Sequence, residues 1–285
     1  MTYIIHGATG AQGAPLLKRL TEAGKHAIAA VHRSGELGDT PSVKIDNASV
    51  ESLIEAYRRA DGIFVHLPQT DEDTRKTYAR NIARAIGVAK PGRVVISTSG
   101  IIVDEPNSPL QVQPDSAMAA LIDGIRETGV STAVVAPRLY LENLLLPMVL
   151  GPTQSEGVLR YPLRPDYPVS WSSHLDVAEV VERLLEQTSV NGVVGVGQLP
   201  GLLGEDLAAG FQHHLGRDVA FGSISPQAFG TLIEPLIGPA AGAVAGFYGV
   251  LQNGQANVIA DHTSAQKLLG IAPRSVQQWL SEAMS

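Results

Sequence analysis

Three glycines near the start of the chain constrain its fold more than any other feature. The segment Gly7-Ala8-Thr9-Gly10-Ala11-Gln12-Gly13 follows a short apolar stretch, Tyr3 to His6. It opens a segment in which Leu16, Leu17 and Leu20 share one side of a helix and Gly24 ends it. The first turn of a helix has N–H groups without intrahelical acceptors and about half a positive charge, which suits a diphosphate. Glycines let the backbone turn sharply and approach an anion with no Cβ in the way. The spacing is G-x-x-G-x-x-G, not the G-x-G-x-x-G of the usual dehydrogenase fingerprint.

The next 130 or so residues, by simple count along the sequence, alternate strands with helices. Strands are expected at His26 to His32, Val43 to Asp46, Gly62 to Leu67, Arg93 to Ser97 and Thr132 to Ala136. Between them, Val50, Leu53, Ile54 and Tyr57 fall at i, i+3, i+4, i+7, and Met118, Leu121, Ile122 and Ile125 repeat that spacing. A further helix is expected over 72–87. Strands alternating with helices of this length predict an α/β fold, a doubly wound parallel Rossmann sheet in the order 3-2-1-4-5-6. After Pro137 the rhythm changes. Residues 151–173 are rich in Pro, Gly, Tyr and Ser and read as loops; Val177, Val180, Val181, Leu184 and Leu185 mark another helix. The remainder reads as mostly helical, with one short strand near Val219. The expected organisation is a dinucleotide-binding domain over 1–150 and a small, mostly helical C-terminal substrate lobe over 151–285 that partly returns to the main sheet.

Composition removes several alternatives. The chain of 285 residues has no cysteine, which excludes disulfides, thiol catalysis and Cys-ligated metals. His213 and His214 are adjacent and point to different sides of a helix, so no metal site is expected. A formal charge of -7 argues against nucleic acid as a partner. Pro235 to Ala260 has no charged residue, but glycines and Pro239 interrupt it, so a buried or pocket-covering helix is expected and no membrane partner. Residues 225–255 in particular read as a mobile pocket cover. The N-terminal stretch has no leader pattern, so a cytoplasmic location is the expectation. Composition leaves monomer and homodimer equally open.

The second strand bears on which dinucleotide is bound. An acidic residue about 20 positions after the turn would hold the ribose 2′-OH of NAD. His32, Arg33 and Ser34 stand there instead, and a guanidinium suits the 2′-phosphate of NADP and the face of adenine. The expected cofactor is therefore NADPH. Its site is expected to comprise Gly7, Thr9, Gly10, Ala11, Gln12, Gly13, His32, Arg33, Ser34, Asp46, Asn47, His66, Leu67, Pro68 and Ser97. Asp46 is either an acceptor for the adenine amino group or a helix cap.

Several motifs together resemble the NmrA-like branch of the atypical short-chain dehydrogenase/reductases. They are the glycine turn itself, Val31-His32-Arg33, Pro137 followed by Glu142-Asn143, and Asp176-Val177-Ala178-Glu179. Leu268-Leu269-Gly270, Pro273-Arg274 and Trp279-Leu280 complete the pattern over nearly the whole chain. The resemblance implies the Rossmann fold and an NADP preference. It also implies a choice of roles, since the branch includes quinone reductases, reductases of plant phenolics and cofactor-sensing regulators.

Typical short-chain dehydrogenases place a Tyr-x-x-x-Lys pair after strand five, with Tyr as proton donor. By the family pattern the pair would fall on Pro114 and Met118. Independently of alignment, there is no Lys between Lys90 and Lys267 and no Tyr between Tyr78 and Tyr140. Ser97 and Tyr140 are the candidate catalytic residues, each with a structural reading beside it: a strand-end hydroxyl and a core aromatic. Ser99, Tyr140, Asn143, Tyr161 and Trp171 are the candidate substrate-pocket residues, with packing as the alternative. A quinone or a related electrophilic carbonyl or enone needs little acid help and is the expected small-molecule partner. The alternative is an NADP(H)-sensing regulator that binds a protein without turnover.

Overall fold

The structure is a computed structural model that describes every residue except 34–37, 39 and 285. It divides into two compact units. The first is Met1–Ala136 with His174–Gly195 and Lys267–Ile271; the second is Pro137–Ser173 with Val196–Gln266 and Ala272–Ser285.

In the first unit, six strands alternate with four helices: β1 (Thr2–Ile5), α1 (Gly13–Glu22), β2 (His26–Val31), β3 (Ser42–Lys44), α2 (Val50–Tyr57), β4 (Gly62–Val65), α3 (Glu72–Ala89), β5 (Arg93–Ser97), α4 (Ala117–Glu127) and β6 (Thr132–Pro137). The sheet is parallel at each of the pairings β3-β2-β1-β4-β5-β6. That is the expected doubly wound order. A seventh strand, Gly192–Val196, adds to the edge beyond β6. Helices cover both faces, so β4 and β5 are buried at every residue instead of alternating. Tyr57, Leu67, Ile82, Ile96 and Leu121 belong to a core cluster formed by β1, β4 and β5 with α2, α3 and α4.

Capping residues set the helix starts. Ser49, Asp71 and Ser116 each accept the N–H three residues on, at α2, α3 and α4. The helix His174–Glu186 belongs to the same unit and is tied to α1 by the ion pairs Arg19–Glu182 and Arg19–Glu179. Its following loop is held by Arg93, the first residue of β5, which is 1% exposed. Arg93 donates to Leu184 O at 2.8 Å, to Ser131 Oγ and Asn191 Oδ1 at 2.7 Å each, and to Val190 O.

The second unit corrects the loop expectation for 151–173. Pro147–Glu156 is a helix, with Pro147 at its first turn and Pro152 inside it. A proline at N1 fits helix geometry, and Pro152 removes one intrahelical hydrogen bond without ending this short element. Val158–Tyr161 then pairs in parallel with Ala220–Ser223, and Trp171–Ser172 with Leu139–Tyr140. Residues 225–255 form two helices packed on each other, Pro226–Ile237 and Ala240–Asn253. Phe229 and Tyr248 from that pair meet Tyr161, which also meets Trp171, with ring centroids 5.4 to 5.5 Å apart. Among the described residues no helix is long and apolar enough to cross a membrane.

Candidate functional site

The sheet order reverses at β1: the chain runs β1, β2, β3 to one side and then returns to place β4 on the other. In such sheets the crevice for a ligand lies beyond the carboxyl ends of the strands at this reversal. The registers Tyr3↔Gly62 and Ile5↔Phe64 bring the glycine turn after β1 beside His66 after β4. Gly7 has φ +61°, and a Cβ there would lie 3.4 Å from His66 Nδ1. At Gly13 a Cβ would fall 2.2 Å from Gly7 O and 2.8 Å from Ala8 N, so the helix starts pressed against the turn it leaves. Gly7, Thr9, Gly10 and Ala11 are exposed.

The start of α1 differs from those of α2, α3 and α4. Its N-cap residue, Gln12, makes no side-chain cap bond, and its first turn has no acidic residue. The amides there are left for something other than this chain's side chains. Gln12 instead turns its buried side chain across to the end of β5. Ser97 Oγ donates to Gln12 Oε1 at 2.6 Å, Gln12 Nε2 donates to Ser99 Oγ at 3.2 Å, and Ser99 N donates to Ser97 Oγ at 3.2 Å. Ser99 has φ +56°, a left-handed conformation that costs a non-glycine residue about 1–2 kcal/mol.

His32 and Arg33 follow β2 and are both exposed; Ser34 lies outside the described residues. Asp46 follows β3 and is exposed, and its Oδ1 accepts the N–H of Ala48 at 2.9 Å in a local turn. Asn47 is buried and its carbonyl accepts from Asn81 Nδ2 at 3.0 Å. Leu67 turns into the core cluster, so only its backbone is available to a ligand, while His66 and Pro68 are half-buried.

The expected pocket residues of the second unit separate into two groups. Tyr161 and Trp171 are fully buried in the aromatic cluster, where the Tyr161 and Tyr248 hydroxyls hydrogen-bond each other. Burial corrects the pocket-lining expectation for both: their rings are core. Asn143 is half-buried in the short 3-10 helix that follows Tyr140. Tyr140 is half-buried at the end of its short strand. Ser97, the first candidate catalytic residue, is fully buried with its proton committed to Gln12, an arrangement that fits the structural reading of a strand-end hydroxyl.

Sequence reasoning gave no functional role to His6, the histidine behind the turn. His6 is 2% exposed and shares a 2.7 Å hydrogen bond with the Tyr57 hydroxyl. Burial, then the nearby His66 and His32, push its pKa down to about 3. His174 is lowered to about 4, chiefly by burial and then by His66, and His66 itself is lowered by burial and by the Arg75 cation. The signal available in the sequence was position: His6 closes an otherwise apolar strand.

These shifts predict an acid sensitivity. A histidine with a depressed folded pKa contributes stability that is complete above its unfolded value near 6.5 and lost as pH falls through the folded value. Between 6.5 and 4 the unfolded chain takes up protons that the folded His6 and His174 refuse, at about 1.4 kcal/mol per pH unit for each. Urea unfolding at pH 5.5 and 7.5 should differ by about 2–3 kcal/mol for the pair, with the protein weaker in acid. His6→Gln should remove about half the difference, and a pH-independent midpoint would contradict the burial of both rings.

The model of the NmrA-like family matches residues 2–280. The chain belongs to the NmrA-like family. Solved structures share its fold at low sequence identity. A triphenylmethane reductase of Citrobacter sp., complexed with NADP(H), is 18% identical with a TM-score of 0.78, covering 99% of this chain and 100% of that one. An NADPH-dependent quinone oxidoreductase of Escherichia coli, complexed with NADPH, is 16% identical with a TM-score of 0.77, covering 100% of both chains. A nucleoside-diphosphate-sugar epimerase of Staphylococcus aureus is 17% identical with a TM-score of 0.79, covering 98% and 99%. Membership of the NmrA-like family agrees with the resemblance carried by the glycine turn and the C-terminal motifs.

Proposed function

We propose that this protein is an NADPH-dependent oxidoreductase that reduces a quinone or a related electrophilic carbonyl or enone. The observation that carries the reading is the start of α1: a helix with no side-chain cap and no acid in its first turn, behind an exposed glycine turn. That site fits a diphosphate, with Thr9, Ala11, Gln12 and Gly13 supplying amides, while the Gly10 N–H donates to Gly7 O at 2.8 Å within the turn. The exposed Arg33 would hold the 2′-phosphate and Asp46 the adenine amino group. When bound, the nicotinamide supplies a hydride. NADP(H) in the triphenylmethane reductase and the quinone oxidoreductase supports the same assignment.

The substrate class follows from what the chain lacks. Without a Tyr-x-x-x-Lys pair, and with the Ser97 proton engaged by Gln12, reduction of a simple ketone has no ready acid. A quinone accepts hydride into an electrophilic ring, and solvent supplies the proton. Tyr140 is the remaining side-chain candidate for a donor. The same lack of an acid pair favours a second reading, a regulator that binds NADP(H) and a protein partner without turnover.

Titration and turnover separate these readings. NADPH should bind at micromolar concentration, and a panel of quinones should be reduced while simple ketones are not. Tight NADPH binding with no turnover on any acceptor would favour the regulator; no binding of either coenzyme would end both. Arg33→Ala should weaken NADPH by about 1.5–3 kcal/mol, roughly 10- to 150-fold, and leave NADH nearly unchanged. Equal losses for the two coenzymes would remove the guanidinium from the 2′-phosphate.

A further inference from the structure

The Gln12 side chain occupies an unusual place. Helix N-caps are normally Ser, Thr, Asp or Asn, whose short side chains fold back onto the helix. Gln12 has a long side chain that ignores its own helix and reaches Ser97, the last residue of β5, and Ser99 just beyond it. In the sheet, β4 lies between β1 and β5, so the bridge passes the end of β4. Its far anchor is not slack chain. Ser97 is fully buried, Ser99 is held in a left-handed conformation, and the Ser99 N–H closes the ring onto Ser97 Oγ. Each of the three side chains makes a hydrogen bond to another member, so the ring is closed on itself and fixes the backbone on both sides.

We propose that Gln12 is a positioning residue that couples seating of the dinucleotide diphosphate at the glycine turn to the geometry of the Ser97–Ser99 segment. The proposal rests on the NADPH reading above and deepens it. The backbone of Gln12 belongs to the phosphate cradle, while its side chain fixes the strand end expected to face the nicotinamide. Ser97 thereby serves as an acceptor locked in one orientation, not as a proton source. In this arrangement the amide contributes little to holding the phosphates and much to the orientation of what they hold.

The test is a double-substitution cycle on the full-length protein with Gln12→Met, Ser97→Ala and the pair. Methionine keeps the length and packing of glutamine and removes both hydrogen bonds. Melting temperature controls for folding. The readouts are NADPH dissociation constant, emission of the bound nicotinamide, and kcat on the quinone that the unsubstituted protein turns over best. Gln12→Met should keep the dissociation constant within about threefold, since no phosphate contact is lost. It should change the nicotinamide emission and lower kcat at least tenfold. Ser97→Ala should do the same, and the double variant should be no worse than either single one, because both substitutions open one ring.

Additive losses, or a Gln12→Met protein indistinguishable from the original in emission and kcat, would overturn the proposal. The control for the underlying reading is the unsubstituted protein. If it binds NADPH but turns over nothing, the reductase reading fails while the emission of the bound nicotinamide still decides the role of Gln12. If it binds no NADPH, the cofactor assignment and the coupling fall together.

Discussion

Gly13→Ala should abolish NADPH binding and destabilise the fold together. The added methyl would sit 2.2 Å from Gly7 O and 2.5 Å from Gly7 C, more than an ångström inside normal contact. Those neighbours are backbone atoms and cannot rotate away, and the turn they belong to is already in a left-handed conformation at Gly7. The only relief is to push α1 off the turn, which moves the amides that would hold the diphosphate. Overpacking of this kind costs about 3 kcal/mol, and for a chain of this size that lowers Tm by roughly 6–12 °C. Calorimetry and NADPH titration on one preparation would check both effects. Retained micromolar binding would mean that the phosphates do not sit at this helix start.

Arg93→Met should be the most destabilising substitution away from the site. The guanidinium is buried and serves four acceptors: Leu184 O in the helix His174–Glu186, Val190 O and Asn191 Oδ1 on the loop before the seventh strand, and Ser131 Oγ just before β6. Methionine replaces much of the volume, but it takes the guanidinium N–H groups away from the buried Leu184 carbonyl and the part-buried Val190 carbonyl. Losing charge-assisted bonds and stranding their acceptors costs about 3–5 kcal/mol. Urea unfolding should show this loss while NADPH affinity, measured well below the transition, stays within twofold, because Arg93 starts β5 at the end opposite Ser97. A loss below about 1 kcal/mol would mean that water replaces the arginine at these acceptors.

Much of this was legible in the sequence because it depends on local periodicity. The spacing of Val50, Leu53, Ile54 and Tyr57 gave α2 to the residue, and Gly62 and Arg93 marked the starts of β4 and β5. The glycine turn was legible from its residue types together with its place between a strand and a helix. What stayed hidden depends on contacts between distant segments. Nothing local to Gln12 shows that its amide meets Ser97, and the glycine-rich Gly192–Val196 becomes a strand only because β6 leaves an edge beside it. Tyr161 and Trp171 have the composition of pocket residues, and only the surrounding Phe229 and Tyr248 make them core. The helix through Pro152 contradicts the usual meaning of proline, since a single missing bond in a short element is tolerated when its neighbours are packed.

The seventh strand carries a consequence for biosynthesis. A ribosome releases this chain from the N-terminus, and β6 emerges well before Gly192–Val196 does. Until the later segment arrives, β6 is an open edge and the buried arms of Arg93 lack Leu184, Val190 and Asn191. The first unit therefore cannot mature as an early, self-sufficient nascent domain. Its completion waits on codons beyond those for the helix that follows Ser173.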